Sequence, residues 1–431
     1  MIRYFILFLI FAVFPVFGQE NYQLETIDHN QLIKYVQLYH QSNEKLIQKI
    51  KSKYPRKIAK KLIKNIEAYG EGFEKSILNG DFTFDKRFLN FANRILDNLK
   101  AKNNTIPKNV NVLISKDPSL NAYCLPDGTF VLNIGLFYFL ENTDQIAGVM
   151  SHELSHYLLN HLIKQQVQQI QESSSKDRKK QIRQIKRSRF NRTKRAFNLY
   201  KNLLYANRKN SRKKEIEADS LGFLLVEKTD YNPAELIKSL KLVKMYDTIR
   251  PKNLKKDIYA KIFDLPNQKF NPKWLQMEDY SGYHYDLYKV NFNIDSIATH
   301  PDEKIRINKL KTLLDAHHYE MRASQPDKVF IELHKIAEYN FVPNLMHFDR
   351  IGQAIYLSLL QLQEGKDETY YKKLLGENFK KILEARKKYQ LNRYLDRPNP
   401  KKQSKSYLQF LNFMWNLSLQ EIENIAEHYA K

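Results

Sequence analysis

Apolar side chains recur at helical spacing over most of this chain and at strand spacing in only one short stretch. Leu32, Ile33, Val36 and Leu38 open one helical pattern, and Phe88, Leu89, Phe91, Ala92, Ile95, Leu96 and Leu99 form a clear i, i+3, i+4, i+7 stripe. Asn79-Gly80-Asp81 breaks the run between them. Val110 to Ile114 and Phe130-Val131-Leu132 read as short β-branched or aromatic strands, with Pro126-Asp127-Gly128 as the turn before the second. Asn142 is placed to cap the next helix with Gln145 as its capping-box partner; Ile146, Val149, Met150 and Leu154 line that helix, which should run at least to Asn160. Helical spacing resumes from about Asp327, notably over Ile351 to Leu362 and Tyr407 to Tyr429, the latter following the linker Arg397-Pro398-Asn399-Pro400-Lys401-Lys402. No fixed-period repeat occurs. The expected fold class is α+β, predominantly helical, with a short β-sheet and helical N- and C-terminal extensions.

Composition agrees. The 431 residues are 42% hydrophobic, enough to bury a core and too many for wholesale disorder, and only 12 Gly and 14 Pro argue against a turn-dense all-β fold. At this length a catalytic-sized domain with additions is expected. The net charge of +24, from 71 Lys and Arg against 47 Asp and Glu, suits phosphates of nucleic acid or of a lipid surface equally well. The start of the chain separates the two. Met1-Ile2-Arg3, an apolar run from Tyr4 to Phe17 and Gly18-Gln19-Glu20 resemble a secretory signal peptide over residues 1–18. The expectation is therefore an exported protein, periplasmic in a Gram-negative source and secreted otherwise, with no nucleic-acid partner. A single cysteine, Cys124, excludes an intramolecular disulfide. Much of the positive charge lies between Lys164 and Lys214. That stretch reads first as a solvated helical pair joined flexibly at Ser173-Ser174-Ser175, and second as a lid over a cleft or a face that touches an anionic membrane.

Chemistry concentrates in His152-Glu153-Leu154-Ser155-His156. On a helix, positions i and i+4 lie one turn apart on the same face, so both imidazoles can reach one ion at about 2.0–2.1 Å. Glu153, rotated about 100° from His152, borders such a site without ligating and is placed to take a proton from an attacking water. A catalytic zinc needs a third protein ligand and an open fourth position. The acidic run Glu215-Ile216-Glu217-Ala218-Asp219 offers candidates: Glu215 and Asp219 share one face, and whichever of them binds metal, the other can accept from a ligand's ring N–H. Glu217 points the other way. His161, at i+5 from His156, and the pair His317-His318 read as ordinary structural histidines.

These two segments, together with Asn121-Ala122-Tyr123, Pro126-Asp127-Gly128, Gly135-Leu136, Asp144 to Met150, and Thr299-His300-Pro301 followed by Lys304-Ile305-Arg306-Ile307 and Leu310, resemble the HtpX/CAAX-prenyl-endopeptidase family of zinc metallopeptidases. The resemblance covers residues 80 to 313 and is nearest to the family's soluble, exported bacterial branch, with BepA-like and Oma-like proteins. It implies a zincin-like domain, one Zn²⁺ per chain held by His152, His156 and Glu215, Glu153 as general base, Asp219 as the partner of a ligand, and His300 either near the metal, at its open position or beside the oxyanion, or at a plain His-Pro helix start. On this reading the chain divides into a signal peptide (1–18), an N-terminal helical segment (19–79), the metallopeptidase domain (80–313) and a C-terminal helical region (314–431). The implied activity is zinc-dependent hydrolysis of protein or peptide substrates, unfolded or misassembled envelope proteins among them, in quality control. The rival reading is a chaperone-like binding factor with a latent or regulatory metal site. Phe130 to Asn133 reads either as an exposed edge that could pair with an extended substrate or as an ordinary interior strand.

Overall fold

The computed structural model describes residues 22–26, 29–188, 192–248, 253–277, 303–319, 324, 327–400 and 403–429. The expected signal peptide and His300 lie outside the described residues. Among the described residues, helices dominate around one four-stranded sheet, as the patterning predicts.

Two long helices, α1 (His29–Lys53) and α2 (Arg56–Leu78), form an N-terminal hairpin. Buried α2 positions Ala59, Leu62, Ile66, Gly70, Phe73 and Ile77 keep the three- and four-residue spacing that one buried face requires. At Gly70 a side chain would come within 3.1 Å of Asn43, so glycine lets the two helices approach. The break expected at Asn79-Gly80-Asp81 is present, with Gly80 at φ +76°. Strand β1 (Phe82–Thr83) follows, then α3 (Lys86–Lys102), whose N-cap Asp85 accepts from the backbone N–H of Arg87. The predicted α3 stripe is buried, apart from a half-buried Leu89.

Strands β2 (Asn111–Ser115), β3 (Ala122–Cys124) and β4 (Thr129–Asn133) complete a sheet of order β1-β2-β4-β3. β2 and β4 run parallel, with Val112 opposite Phe130 and Ile114 opposite Leu132, while β1 and β3 are antiparallel edges. Side-chain alternation sorts the sheet into two covered faces. Val112, Ile114, Phe130 and Leu132 pack against α3 and the helices that follow β4, and Leu113 and Val131 pack against Tyr39, Phe73 and Ile77 of the hairpin. Every residue of β4 is buried. Of the two readings of Phe130 to Asn133, the interior strand holds and the exposed edge does not: it bonds to a neighbour on each side, and β3 is the edge beside it. Periodicity misses this because a strand covered on both faces is continuously apolar.

After α4 (Gly135–Phe139), α5 (Thr143–Leu158) carries the histidine motif. Asn142 caps it through Gln145 N–H at 2.9 Å, while the Gln145 amide reaches back to Glu141 N–H, one residue earlier than a standard box. The helix stops at Leu158 rather than reaching Asn160, because Asn160 sits in the left-handed region at φ 55°. From there start α6 (His161–Ser174) and α7 (Lys176–Arg187). The triple serine, expected as a flexible join, is a helix boundary: Ser175 accepts from Arg178 N–H and caps α7, which buries no side chain. α8 (Arg192–Glu227) then returns across α5, followed by α9 (Glu235–Thr248) and α10 (Asp257–Phe263). α11 (Glu303–Ala316) closes over α8 and α9 through Leu310 and Leu314 against Phe223, Leu236 and Ile237.

The remaining helices are α12 (Lys328–His347), α13 (Ile351–Gln363), α14 (Glu368–Lys387), α15 (Leu391–Tyr394), α16 (Lys405–Asn416) and α17 (Leu419–Tyr429). Tyr407 to Tyr429 is thus two helices. Ser418 and Glu421 form a reciprocal capping box, Ser418 N–H donating to Glu421 and Glu421 N–H to the Ser418 hydroxyl, which starts the second one. Core membership crosses the expected boundary at 313/314 in both directions. Phe330, Leu333, Ile336 and Ala337 of α12 join the core beside the sheet, and Leu254 to Trp274 join the C-terminal helices.

Candidate metal centre

Helix α5 presents His152, Glu153 and His156 toward α8, and both elements are built for close approach. Ser151 and Ser155, fully buried, face inward on α5 with hydroxyls bonded back to Gly148 and Ser151 carbonyls. On α8, a Cβ at Gly222 would lie 3.1 Å from the His152 backbone. With no side chain there, α8 sits against α5 and brings Glu215 and Asp219 to the imidazoles.

The predicted residues converge. His152 Nε2 and His156 Nε2 are 3.2 Å apart, and the Glu215 carboxylate lies 3.6 Å from the first and 3.7 Å from the second. Tetrahedral ligands at about 2.0–2.2 Å from one ion are separated by about 3.3–3.6 Å, so the three donors fit a single divalent cation. Glu153 comes to 3.8 Å of His152 Nε2 and borders the group. Asp219 lies behind it, Oδ1 at 2.8 Å from His152 Nδ1 in an oblique contact that forms no straight hydrogen bond. Among the described residues this is the only cluster of three or more histidine, cysteine or acidic groups that could hold a metal ion.

Arg306 of α11 is the residue sequence reading left without a role. Its guanidinium grips Asp219 bidentately, Nε to Oδ2 and Nη2 to Oδ1 at 2.6 Å each, and Nη1 lies 3.4 Å from Glu215. An arginine 87 residues after its partner leaves no signal in spacing or periodicity. His161, expected as a structural histidine pointing away from the metal, does point away from it but touches a candidate ligand. It lies on the side of His156 away from the cluster, Nδ1 at 3.0 Å from His156 Nδ1, with its Nε2 at 3.2 Å from Glu217. The left-handed turn at Asn160 re-aims it, which spacing on a continuous helix does not anticipate. Glu217 faces away from the cluster, as expected.

Electrostatics favour a cation. Glu153, Glu215 and Asp219 face one guanidinium, so the carboxylates fall two positive charges short of balance when ionised, the charge of one divalent ion. Burial opposes ionisation of Glu215 and Asp219, yet contacts with His152 and Arg306 outweigh it and hold both at about 2. Burial also opposes a charge on His152, but the Asp219 and Glu215 contacts push its ring up to about 10. A field that retains a proton there favours a metal ion in its place. Burial raises Glu153 to about 7, reinforced by the Glu215 charge, which suits a group that must take and return a proton near neutrality.

A cavity of about 670 Å³ lined by Phe82, Phe84, Lys116, Tyr339, Asn344 and Tyr370, among others, lies at the opposite, β1 edge of the sheet and includes none of these residues. The edge strand nearer the cluster is β3, which lies against α5.

Two histidines a turn apart, a glutamate between them and an acidic helix across from them define the site of a metal-dependent hydrolase. The family model of peptidase family M48 matches residues 86–314, and the chain belongs to that metallopeptidase family, as its motifs implied. It is 30% identical over 122 residues, 28% of this chain, to a mitochondrial metalloendopeptidase OMA1 of Arabidopsis thaliana. It is 24% identical over 106 residues, 24% of this chain, to a Vibrio cholerae protein named as a beta-barrel assembly-enhancing protease. These matches span 23% and 22% of the two relatives.

Proposed function

We propose that this chain is a zinc-dependent endopeptidase that cleaves protein substrates in the cell envelope, in protein quality control. The observation that carries the enzymatic reading is the convergence of His152, His156 and Glu215 donor atoms within 3.2–3.7 Å, bordered by a carboxyl raised to about 7. Bound there, zinc would polarise the scissile carbonyl and acidify a water. Glu153 would take the proton as that water attacks and return it to the leaving amine. Asp219 orients His152, and Arg306 holds Asp219 ionised and in place. Strand β3 bonds to β4 along one edge, and its other edge is the element suited to align an extended peptide beside α5. Strand pairing reads backbone, which suits unfolded chains.

The envelope setting rests on the character of residues 1–18 and on the printed name of the Vibrio relative. Basic, unburied α7 would serve as a peripheral contact with anionic membrane. The binding-factor alternative draws on the long run of C-terminal helices, whose apolar core also takes in Leu254 to Trp274. Casein cleavage by the purified protein separates the two readings. The peptidase reading expects cleavage that a chelator abolishes and added zinc restores. Zinc-loaded protein that binds unfolded casein without cutting it supports the alternative.

A further inference from the structure

His156 is held by a second histidine rather than by a carboxylate directly. His161 is buried, 4% exposed, and packs its ring edge-on to His156 with centroids 4.9 Å apart. Its two nitrogens have different partners. Nε2 faces the Glu217 carboxylate at 3.2 Å, and Nδ1 faces His156 Nδ1 at 3.0 Å.

Proton placement follows from what each partner can do. A carboxylate only accepts, so His161 Nε2 must carry the hydrogen that goes to Glu217. In the neutral ring His161 Nδ1 is then bare and can only accept, which requires the hydrogen of His156 on its own Nδ1. His156 Nε2 is left with a free lone pair directed at His152 and Glu215. His152, by contrast, faces the Asp219 carboxylate directly, Nδ1 at 2.8 Å from Oδ1.

We propose that Glu217 and His161 act as a two-residue positioning relay that fixes the tautomer and tilt of His156 so that Nε2 can bind the metal. The relay rests on the metal-site reading given above, and it assigns roles to two residues that carry neither the reaction nor a ligand. Local structure supports it. Asn160 adopts a left-handed turn that swings His161 back over His156, and Lys214 Nζ donates to the His161 carbonyl at 3.3 Å, tying that turn to α8. Glu217 sits two residues after Glu215 on the same helix, so one element supplies both a candidate ligand and the end of the relay.

The test uses the full chain and measures zinc affinity by chelator competition, the visible absorption spectrum of the cobalt-loaded protein, and the unfolding midpoint of metal-free protein. Loss of the partner of a ligating histidine weakens metal binding about 10–100-fold. His161→Phe, which fills the space without an acceptor, should show such a loss and a changed cobalt spectrum. His161→Gln, whose amide oxygen can accept from His156 Nδ1, should recover most of the affinity and the parent spectrum. Glu217→Ala, at a side chain 44% exposed, should lose affinity in the same direction. A parent protein that binds zinc while His161→Phe or Glu217→Ala binds it equally tightly overturns the relay alone. So does an equal loss in Phe and Gln that tracks a lowered metal-free midpoint, since that is a packing effect. A parent that takes up no zinc overturns the metal site and the relay together.

Discussion

Each candidate residue owes its place to a charge or hydrogen-bond partner that can be removed separately. Glu153→Gln keeps the shape and removes the proposed base; zinc content should hold at the parent level while peptide hydrolysis falls about 10²–10⁴-fold, read by elemental analysis beside a fluorogenic-peptide assay. Full activity in that variant would remove Glu153 from its role. Arg306→Met leaves the buried Asp219 carboxylate without its guanidinium. Stripping one partner from a buried pair costs about 3–5 kcal/mol, and denaturant unfolding should register a loss of that order; a stability near the parent's would contradict the pairing. His152, Glu153 and His156 are legible in sequence because one helical turn fixes their relation. Glu215 is legible only as one of two acidic candidates until the family resemblance selects it. Arg306 and His161 escape, the first because its partners are 87 and 91 residues away, the second because a single left-handed residue resets the helical phase.

Among the elements, the crossing of α5 with α8 matters most, and Gly222 controls it. In Gly222→Ala the new methyl would stand 3.1 Å from His152 Cα and N. Backbone cannot swing aside as a side-chain tip can, so α8 must retreat and carry Glu215 with it. Overpacking of this kind costs about 1–3 kcal/mol; thermal unfolding should show the loss, and chelator competition a weaker hold on zinc. Unchanged values for both would mean that the two helices have slack at this point. Helix starts at Asn142 and the stripe of α3 are plain in the sequence because caps and periodicity are local. Sheet order is not: nothing local says that β4 lies between β2 and β3, or that three residues at Ala122–Cys124 form the edge. The Ser418 and Glu421 box was readable, and it marks a helix start inside what spacing alone makes one helix.

For the whole molecule, the segment matched to the peptidase family does not own its core. Phe330 lies against Phe91, and Asp327 pairs with Arg94 at 2.8 Å and accepts from Thr143 at the start of α5. A chain ending at residue 314 would leave Phe91 and Phe137 uncovered, and it should aggregate or unfold without a cooperative transition; a well-folded fragment of that length would contradict the shared core. Such joins between distant segments are invisible to a reading that divides the chain by motif, because burial is set by the final packing. A metal bound at the proposed site would tie the molecule together as well, since binding to the folded state alone adds about 4 kcal/mol when the ion is at a thousandfold excess over its dissociation constant. The most direct measurement is zinc per chain, by elemental analysis after dialysis, in the parent and in His156→Ala. The account predicts about one zinc in the parent and close to none in the variant. Equal zinc in both, or none in a folded parent offered zinc, would contradict it.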